Sequence, residues 1–163
     1  MQTRKTNAAR ILDRLNITYE IIAYEVDESD LSAVHLAEQL NQPVGQVFKT
    51  IVLNGDKTGT FVCVVPGDLE VNFKLAAAVS GNKKAETIAL KELLPLTGYI
   101  RGGCSPVGMK KNYPVYLDQH ALDYDCIYIS AGLRGLELKL SPKDLIKAVN
   151  AKTFPLTNSA ESE

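Results

Sequence analysis

The sequence has few of the residues that build metal centres and catalytic triads. Its 163 residues include three cysteines and two histidines, with no Cys-x-x-Cys pair and no metal-ligand spacing. Cys63 and Cys126 lie in strand-like apolar runs, which is typical of reduced, buried thiols. His35 and His120 are predicted on helix or loop surfaces. The spacing therefore indicates no metal site and no Ser-His-Asp arrangement.

Long apolar runs and excess positive charge are also lacking. No run approaches the roughly 20 apolar residues that a membrane span needs. The first residues lead into an amphipathic segment rather than an apolar signal core, so we expect a cytoplasmic protein with no membrane partner. The net charge of −1 argues against binding nucleic acid by bulk electrostatics. Any contact with RNA must come from a local patch or be helped by a partner.

Hydrophobic periodicity predicts one α+β domain at residues 1–156, in which a largely antiparallel, hairpin-rich sheet carries several short helices. Residues 157–163 are predicted to be a disordered tail. Thr6, Ser32 and Ser141 are predicted helix N-caps. The predicted helices are 7–15, 33–40, 73–79, 90–94 and 142–150. The predicted strands are 18–25, a strand that opens near Lys49 and ends at 53, 60–66, 83–89, Tyr99–Ile100, 113–117, 126–132 and 135–140.

A glycine-rich loop, Gly98–Lys111, is the first candidate site. Adjacent Gly102 and Gly103 can bring backbone N–H groups close to a carbonyl or a phosphate. The alternative is a tight corner that simply needs small residues. The loop is neither a Walker A motif nor a Gly-x-Gly-x-x-Gly fingerprint. Three further side chains of the loop are candidate substrate-binding residues: Ser105, Lys110 and Lys111.

Two residues on strands are further candidates. Lys49 lies between Phe48 and Thr50 in a run of apolar and β-branched residues. Its ammonium either extends to solvent or points into a concave site. Tyr24, near the end of the first strand, either faces a pocket or is half-buried in the core.

Three stretches together resemble the YbaK/EbsC family of small aminoacyl-tRNA deacylases, related to the editing domain inserted in bacterial prolyl-tRNA synthetases. They are Val47–Thr50, Gly102–Lys111 and Ile127–Leu136, and the resemblance covers about residues 5–152. It is nearest to the Cys-tRNA(Pro) deacylase branch, and it implies an α+β fold with a mixed, largely antiparallel curved β-sheet flanked by short helices. The resemblance implies hydrolytic or substrate-assisted deacylation of mischarged tRNA, most simply Cys-tRNA(Pro), without a metal or organic cofactor.

The resemblance also implies roles for individual residues. Lys49 matches the lysine that the family requires, and Gly102 matches the loop position that faces the scissile ester. The N–H groups of Gly102 and Gly103 are therefore candidate oxyanion donors. Tyr24 matches a pocket tyrosine, and Glu137 stands where the Cys-specific branch carries an aspartate. The acidic turn 27–31 departs from the family pattern and is a candidate for tuning amino-acid specificity.

The implied partners are the acceptor end of mischarged tRNA and prolyl-tRNA synthetase, and we expect a monomer or weak homodimer. The candidate tRNA patch comprises Lys83, Lys84, Arg101, Lys110 and Lys111, although each is otherwise an ordinary solvated side chain. Three alternatives stay open. The chain could be a non-catalytic tRNA- or synthetase-binding module of the same fold. It could be a deacylase for alanine or serine. Cys104 could act as a nucleophile, with its pKa lowered by Arg101 or Lys110.

Overall fold

The computed structural model describes residues 5–158, which form one α+β domain. The α-helices are α1 (Asn7–Arg14), α2 (Ala33–Leu40), α3 (Phe73–Ser80), α4 (Leu93–Thr97) and α5 (Pro142–Val149). The strands are β1 (Glu20–Ala23), β2 (Phe48–Gly55), β3 (Gly59–Pro66), β4 (Ala85–Thr87), β5 (Val115–Asp118), β6 (Ile127–Ser130), β7 (Leu136–Leu140) and β8 (Lys152–Phe154). Short 3-10 turns cover Val44–Gln46, Leu90–Glu92 and Gln119–Asp123. Within this part of the chain, no helix has the length and apolar character to cross a membrane.

The predicted helix starts are confirmed by side-chain caps. The hydroxyl of Thr6 accepts a hydrogen bond from the N–H of Ala9, that of Ser32 from His35, and that of Ser141 from Asp144. Such caps satisfy N–H groups that the first helical turn leaves without partners. Because a cap depends only on residues close in sequence, these boundaries can be predicted from the sequence.

The strands form two sheets rather than the single sheet that we predicted. The smaller sheet has the order β1-β7-β6 and is entirely antiparallel. The larger sheet has the order β4-β2-β3-β5-β8, in which β3-β5 and β5-β8 are parallel pairs. One parallel bridge, Val47 to Tyr128, joins the two sheets. The mixed, largely antiparallel class is confirmed, and β8 was missed.

Strand β3 lies at the centre of the molecule, and both of its faces are buried. Val62 and Val64 pack into the main core, which includes Leu12 of α1 and Ile129 of β6. The intervening side chains pack on the other face, in a second cluster: Phe61, Cys63 and Val65, with Leu53, Val71, Ala76 and Leu156. The sequence of a strand that is buried on both faces is a continuous apolar run, and residues 61–65 form such a run.

Two predicted boundaries around the glycine-rich loop are wrong. The helix predicted at 90–94 is a 3-10 turn followed by α4, which contains Pro95. Proline is tolerated in a first helical turn because that N–H has no intrahelical partner. Tyr99 and Ile100 form no strand. The Tyr99 hydroxyl instead donates to the carbonyl oxygen of Val107, which closes the loop upon itself.

The first two residues of the predicted tail, 157 and 158, contact the rest of the domain. Thr157 is buried and forms an antiparallel bridge with Val71. The fully buried carboxylate of Asp118 accepts hydrogen bonds from the N–H of Leu156 (2.9 Å) and the hydroxyl of Thr157 (3.3 Å), and it also contacts His120. The remainder of the predicted tail, 159–163, lies outside the described residues.

Candidate functional site

Three loops meet beside the smaller sheet, and Arg134 joins them. Its Nε donates to the carbonyl oxygen of Arg101 at 2.8 Å, and its Nη1 lies 3.6 Å from Oε1 of Glu28. The N–H of Tyr24 donates to the carbonyl oxygen of Gly135 at 2.9 Å. The acidic segment after β1, the glycine-rich loop and the β6–β7 hairpin tip are therefore held together. We did not predict Arg134, although an arginine between two hairpin glycines was the available signal.

The glycine pair forms a tight turn in which each glycine has a different function. The N–H of Gly103 donates to the carbonyl oxygen of Ile100 at 2.9 Å, and Gly102 has φ +82°. A positive φ at the third position is the mark of a type II turn, which favours glycine there. Within residues 5–158, no group accepts a hydrogen bond from the Gly102 N–H. Gly102 therefore offers a free backbone donor at the exposed face of the turn.

Two predicted site residues are corrected by this geometry. The Gly103 N–H is occupied by its bond to Ile100, so it is not available to an oxyanion. A Cβ on Gly103 would lie 3.2 Å from the backbone nitrogen of Arg134, which shows that this glycine serves close packing. Ser105 is fully buried, and its hydroxyl accepts from the N–H of Val107. Ser105 therefore stabilises the loop instead of contacting a substrate.

Tyr24 and Gly102 line one cavity of about 40 Å³. The remaining wall includes Leu31, Asp27, Asp30 and His35. A space of this size holds water or a small side chain. His35 was expected at the surface, but its ring lies within 4.0 Å of both aspartate carboxylates, at the wall of this cavity. The acidic turn that departs from the family pattern is thus part of the cavity.

Glu137 is a buried carboxyl group close to Tyr24. It is 2% exposed, and its Oε1 is one of two buried side-chain atoms without a hydrogen-bond partner in the described part of the chain. Burial raises the pKa of Glu137 from 4.5 to about 8. Burial also raises the pKa of the Tyr24 hydroxyl, and the Glu137 charge acts in the same direction. At pH 7 Glu137 is therefore mainly a neutral acid that can donate a hydrogen bond.

Lys49 lies on the same face of the strands as Glu137. Val47 pairs with Tyr128 across the bridge between the sheets, and both pack against α2. Side chains alternate along a strand, so Lys49 lies on the same face as Val47, two residues before it. Ser130 likewise lies on the same face as Tyr128. Ser130 is paired with Glu137. The sheets thus present a lysine, a hydroxyl and a carboxyl group on one side.

The ammonium group of Lys49 has only a weakly held partner. Its Nζ lies 3.1 Å from Oε2 of Glu70, and the Glu70 side chain is 84% exposed. A solvent-exposed ion pair contributes roughly 0–1 kcal/mol, so a phosphate or a developing oxyanion can replace this carboxylate. The adjacent Thr50 carries the second unpartnered buried atom, its Oγ1, and its side chain points to the opposite face of the strand.

The five basic residues predicted as one tRNA patch are not brought together. Lys83 and Lys84 line a groove beside β4, whereas Lys111 lines a separate groove near the end of α5. Lys110 is exposed, and Arg101 belongs to the turn beside Gly102. A substrate-binding function for Lys110 and Lys111 stays a prediction.

Cys104 is poorly suited to act as a nucleophile. Burial raises the pKa of its thiol to about 12, with only partial compensation from a hydrogen bond to Thr97. The reactive form of a cysteine is the thiolate, which is scarce at neutral pH when the pKa is this high. Neither Arg101 nor Lys110 overcomes this effect of burial, so the nucleophile alternative is not supported.

Comparisons with known proteins identify the family and agree with the fold. The model of the aminoacyl-tRNA editing domain family matches residues 28–148. The candidate Cys-tRNA(Pro)/Cys-tRNA(Cys) deacylase EbsC of Enterococcus faecalis is 44% identical over 154 residues, covering 94% of each chain. A proline–tRNA ligase of Thermosipho africanus is 34% identical over 76 residues, which span 47% of this chain and 13% of the ligase.

A solved structure extends the comparison to the whole fold. The structure of a candidate trans-editing enzyme for prolyl-tRNA synthetase superposes with a TM-score of 0.82 at 24% identity. The match covers 94% of this chain and 99% of the other. At this level of identity the likeness supports the fold alone, and the resemblance drawn from the three sequence stretches is confirmed by the family model.

Proposed function

The chain belongs to the aminoacyl-tRNA editing domain family, and from this membership we propose that it removes cysteine from mischarged Cys-tRNA(Pro). The observation that carries the proposal is the free N–H of Gly102 beside the small cavity that Tyr24 lines. The cavity size favours a small amino acid, and the name of the 44% identical relative from Enterococcus faecalis supports cysteine. We propose that the enzyme works in the cytoplasm beside prolyl-tRNA synthetase.

The bond to be broken is the ester between the amino acid and the terminal ribose of tRNA. Attack on its carbonyl places negative charge on the carbonyl oxygen. A preorganised donor aimed at that oxygen typically contributes about 2.7–4 kcal/mol to the stability of the transition state. The Gly102 N–H supplies this donor, and Lys49 supplies positive charge once it exchanges Glu70 for the substrate.

The attacking atom comes from the substrate in this proposal. The thiol sulfur of the esterified cysteine bonds to its own carbonyl carbon, and the ester C–O bond breaks. The thiol proton passes to the departing ribose oxygen, which leaves a cysteine thiolactone and deacylated tRNA. Because the nucleophile is already attached, the protein contributes position and electrostatic stabilisation. The neutral Glu137 acid and the Tyr24 hydroxyl, which lie close together, are the groups proposed to orient the substrate.

The test is deacylation of Cys-tRNA(Pro), Ser-tRNA(Pro) and Ala-tRNA(Pro) by the wild type and by Lys49→Ala. Serine differs from cysteine mainly by oxygen in place of sulfur, so it isolates the contribution of the thiol. We expect rapid loss of the cysteinyl ester and a decrease of about 100-fold in Lys49→Ala. Lys91→Ala, at an exposed lysine of a 3-10 turn, is the matched control and should react as the wild type does.

Two results would redirect the proposal. Equal loss of the seryl and cysteinyl esters would replace thiol assistance with water attack and favour a broader small-amino-acid deacylase. Binding of tRNA without loss of any ester, in both wild type and Lys49→Ala, would favour a non-catalytic binding module of the same fold.

A further inference from the structure

A basic groove lies away from the cavity beside Gly102. It has a volume of about 560 Å³ and is lined by the hairpin end of β2, the edge strand β4 and the start of α3. Its charged and aromatic wall consists of Phe73, Lys74, Lys83, Lys84, Asp56 and Glu86. We refer to this surface as the basic groove.

The positive charge of the basic groove is available to a ligand. Lys74, Lys83 and Lys84 are exposed, and none of them forms an ion pair within the described stretch of the chain. The Asp56 carboxylate is already used, because its Oδ1 accepts from the backbone N–H groups of Lys83 (3.0 Å) and Lys84 (3.2 Å). Both carboxylates of the groove, those of Asp56 and Glu86, keep their negative charge, so three lysines against two carboxylates leave a net charge of +1.

Phe73 places an aromatic ring in this basic environment. It is the first residue of α3 and is 45% exposed, whereas Ala76 and Ala77 of the same helix are buried. Its ring is therefore not needed for the core. An exposed ring among lysines is the arrangement on which proteins stack unpaired bases while they neutralise the adjacent phosphates.

Helix α3, whose first residues line the basic groove, packs on the face of the larger sheet that carries Lys49. Ile51 and Leu53, which alternate with Lys49 along β2, pack in one cluster with Val71 and Ala76. Helix α3 therefore covers the face that carries Lys49. Asn54 also lines the groove and is five residues from Lys49 along β2, so its side chain points to the opposite face of that strand. At about 3.4 Å per residue this separation is about 17 Å, which a few nucleotides of unpaired RNA can span.

We propose that the basic groove binds the unpaired 3′ segment of tRNA, just upstream of the esterified terminal nucleotide, with Phe73 stacking on a base and Lys83 and Lys84 contacting phosphates. The proposal rests on the proposed function for its substrate and adds the path along which the substrate lies. It explains how a chain with net charge −1 binds RNA, because the charge that matters is concentrated in one place.

The test measures binding by the fluorescence anisotropy of a 5′-labelled, unacylated single-stranded RNA that ends in CCA. The RNA is titrated with intact protein at several salt concentrations between about 50 and 200 mM, which gives the slope of log K against log salt concentration. We expect Phe73→Ala to weaken binding by about 5- to 100-fold, as loss of one stacked base does. Phe73→Leu keeps apolar area without a ring and should weaken binding nearly as much. Lys83→Gln with Lys84→Gln should lower the salt slope by about 1.4. Lys143→Gln with Lys147→Gln, two exposed lysines on α5, should leave both quantities unchanged.

Several outcomes would overturn the proposal. The first is that the groove variants bind the RNA as tightly as the wild type does, and the second is that the α5 control variant loses as much affinity as they do. The third is that a blunt duplex binds more tightly than the single strand. The fourth is that the groove variants lose binding to prolyl-tRNA synthetase while their RNA binding stays intact. Ester hydrolysis is measured separately. Normal deacylation with unaltered RNA binding in the groove variants would reject the groove and keep the enzyme, whereas groove-dependent RNA binding without deacylation would reject the enzyme and keep the groove.

Discussion

The buried acid Glu137 predicts that wild-type stability falls as pH rises. Its pKa is about 8 in the folded chain and 4.5 when it is solvated. Between these two values the unfolded chain loses the proton and the folded chain keeps it, so unfolding becomes easier with increasing pH. One pKa unit corresponds to about 1.36 kcal/mol, and the loss between pH 5 and pH 8 is therefore about 3–4 kcal/mol. The decrease stops once pH exceeds the folded pKa.

Glu137→Gln removes this dependence, because an amide of nearly the same shape does not ionise. The free energy of unfolding, from urea titrations followed by circular dichroism at pH 5, 6, 7 and 8, should favour the variant increasingly over that range. The difference between variant and wild type should grow by about 3–4 kcal/mol from pH 5 to pH 8. Glu38→Gln, at an exposed residue of α2, is the control and should follow the wild type at every pH. A constant difference between Glu137→Gln and wild type would refute the reasoning, because it would mean that Glu137 is ionised and stabilised in the folded chain.

Three further substitutions test the glycine-rich loop and the C-terminal segment. Gly102→Ala should lose about 1–2 kcal/mol of stability because of its positive φ, with a further loss from crowding against Leu31, and it should deacylate poorly. The control is Gly59→Ala, which has a similar φ but open space around the new Cβ. Equal losses of stability in the two variants, measured by calorimetry, would contradict the crowding. Cys104→Ala should retain deacylation. In the wild type, Cys104 should react slowly with iodoacetamide at pH 8, as followed by mass spectrometry, because the pKa of its thiol is about 12. Alkylation at the rate of a free thiol would contradict the raised pKa. Asp118→Asn should lower the free energy of unfolding by about 2–3 kcal/mol, since it weakens several charge-assisted hydrogen bonds, and an unchanged urea midpoint would show that the C-terminal segment is held in another way.

Local features of the fold could be predicted from the sequence, whereas features set by distant partners could not. The caps at Thr6 and Ser32 depend on residues three positions away, and both were predicted. Strand β8 has three residues and pairs with β5, more than thirty positions earlier, without any alternation that would mark it. The identity of its partner is information that a local pattern does not contain.

The same distinction applies to the candidate site. The glycine pair predicted a close-approach turn, but only the carbonyl of Ile100 decides that the Gly103 N–H is occupied and the Gly102 N–H is free. Lys49 was identified by its place in an apolar strand and by family resemblance, while Arg134 acts through contacts with two loops far away in sequence. The lysines of the predicted patch are separated because Lys83 and Lys84 precede β4, whereas Lys110 and Lys111 precede β5, and two strands lie between β4 and β5 in the sheet.

The pairing of β1 with β7 bears on how the protein is made at the ribosome. Ile22 lies opposite Glu137, so the two strands that flank Tyr24 and the buried acid are separated by more than one hundred residues of chain. Contacts this far apart in sequence form late and slowly, because a long loop must close first. A nascent chain can complete the β2–β3 hairpin early, but it cannot present the cavity until the hairpin near residue 135 has left the exit tunnel. The protein should therefore acquire its activity only after β7 has left the exit tunnel and paired with β1.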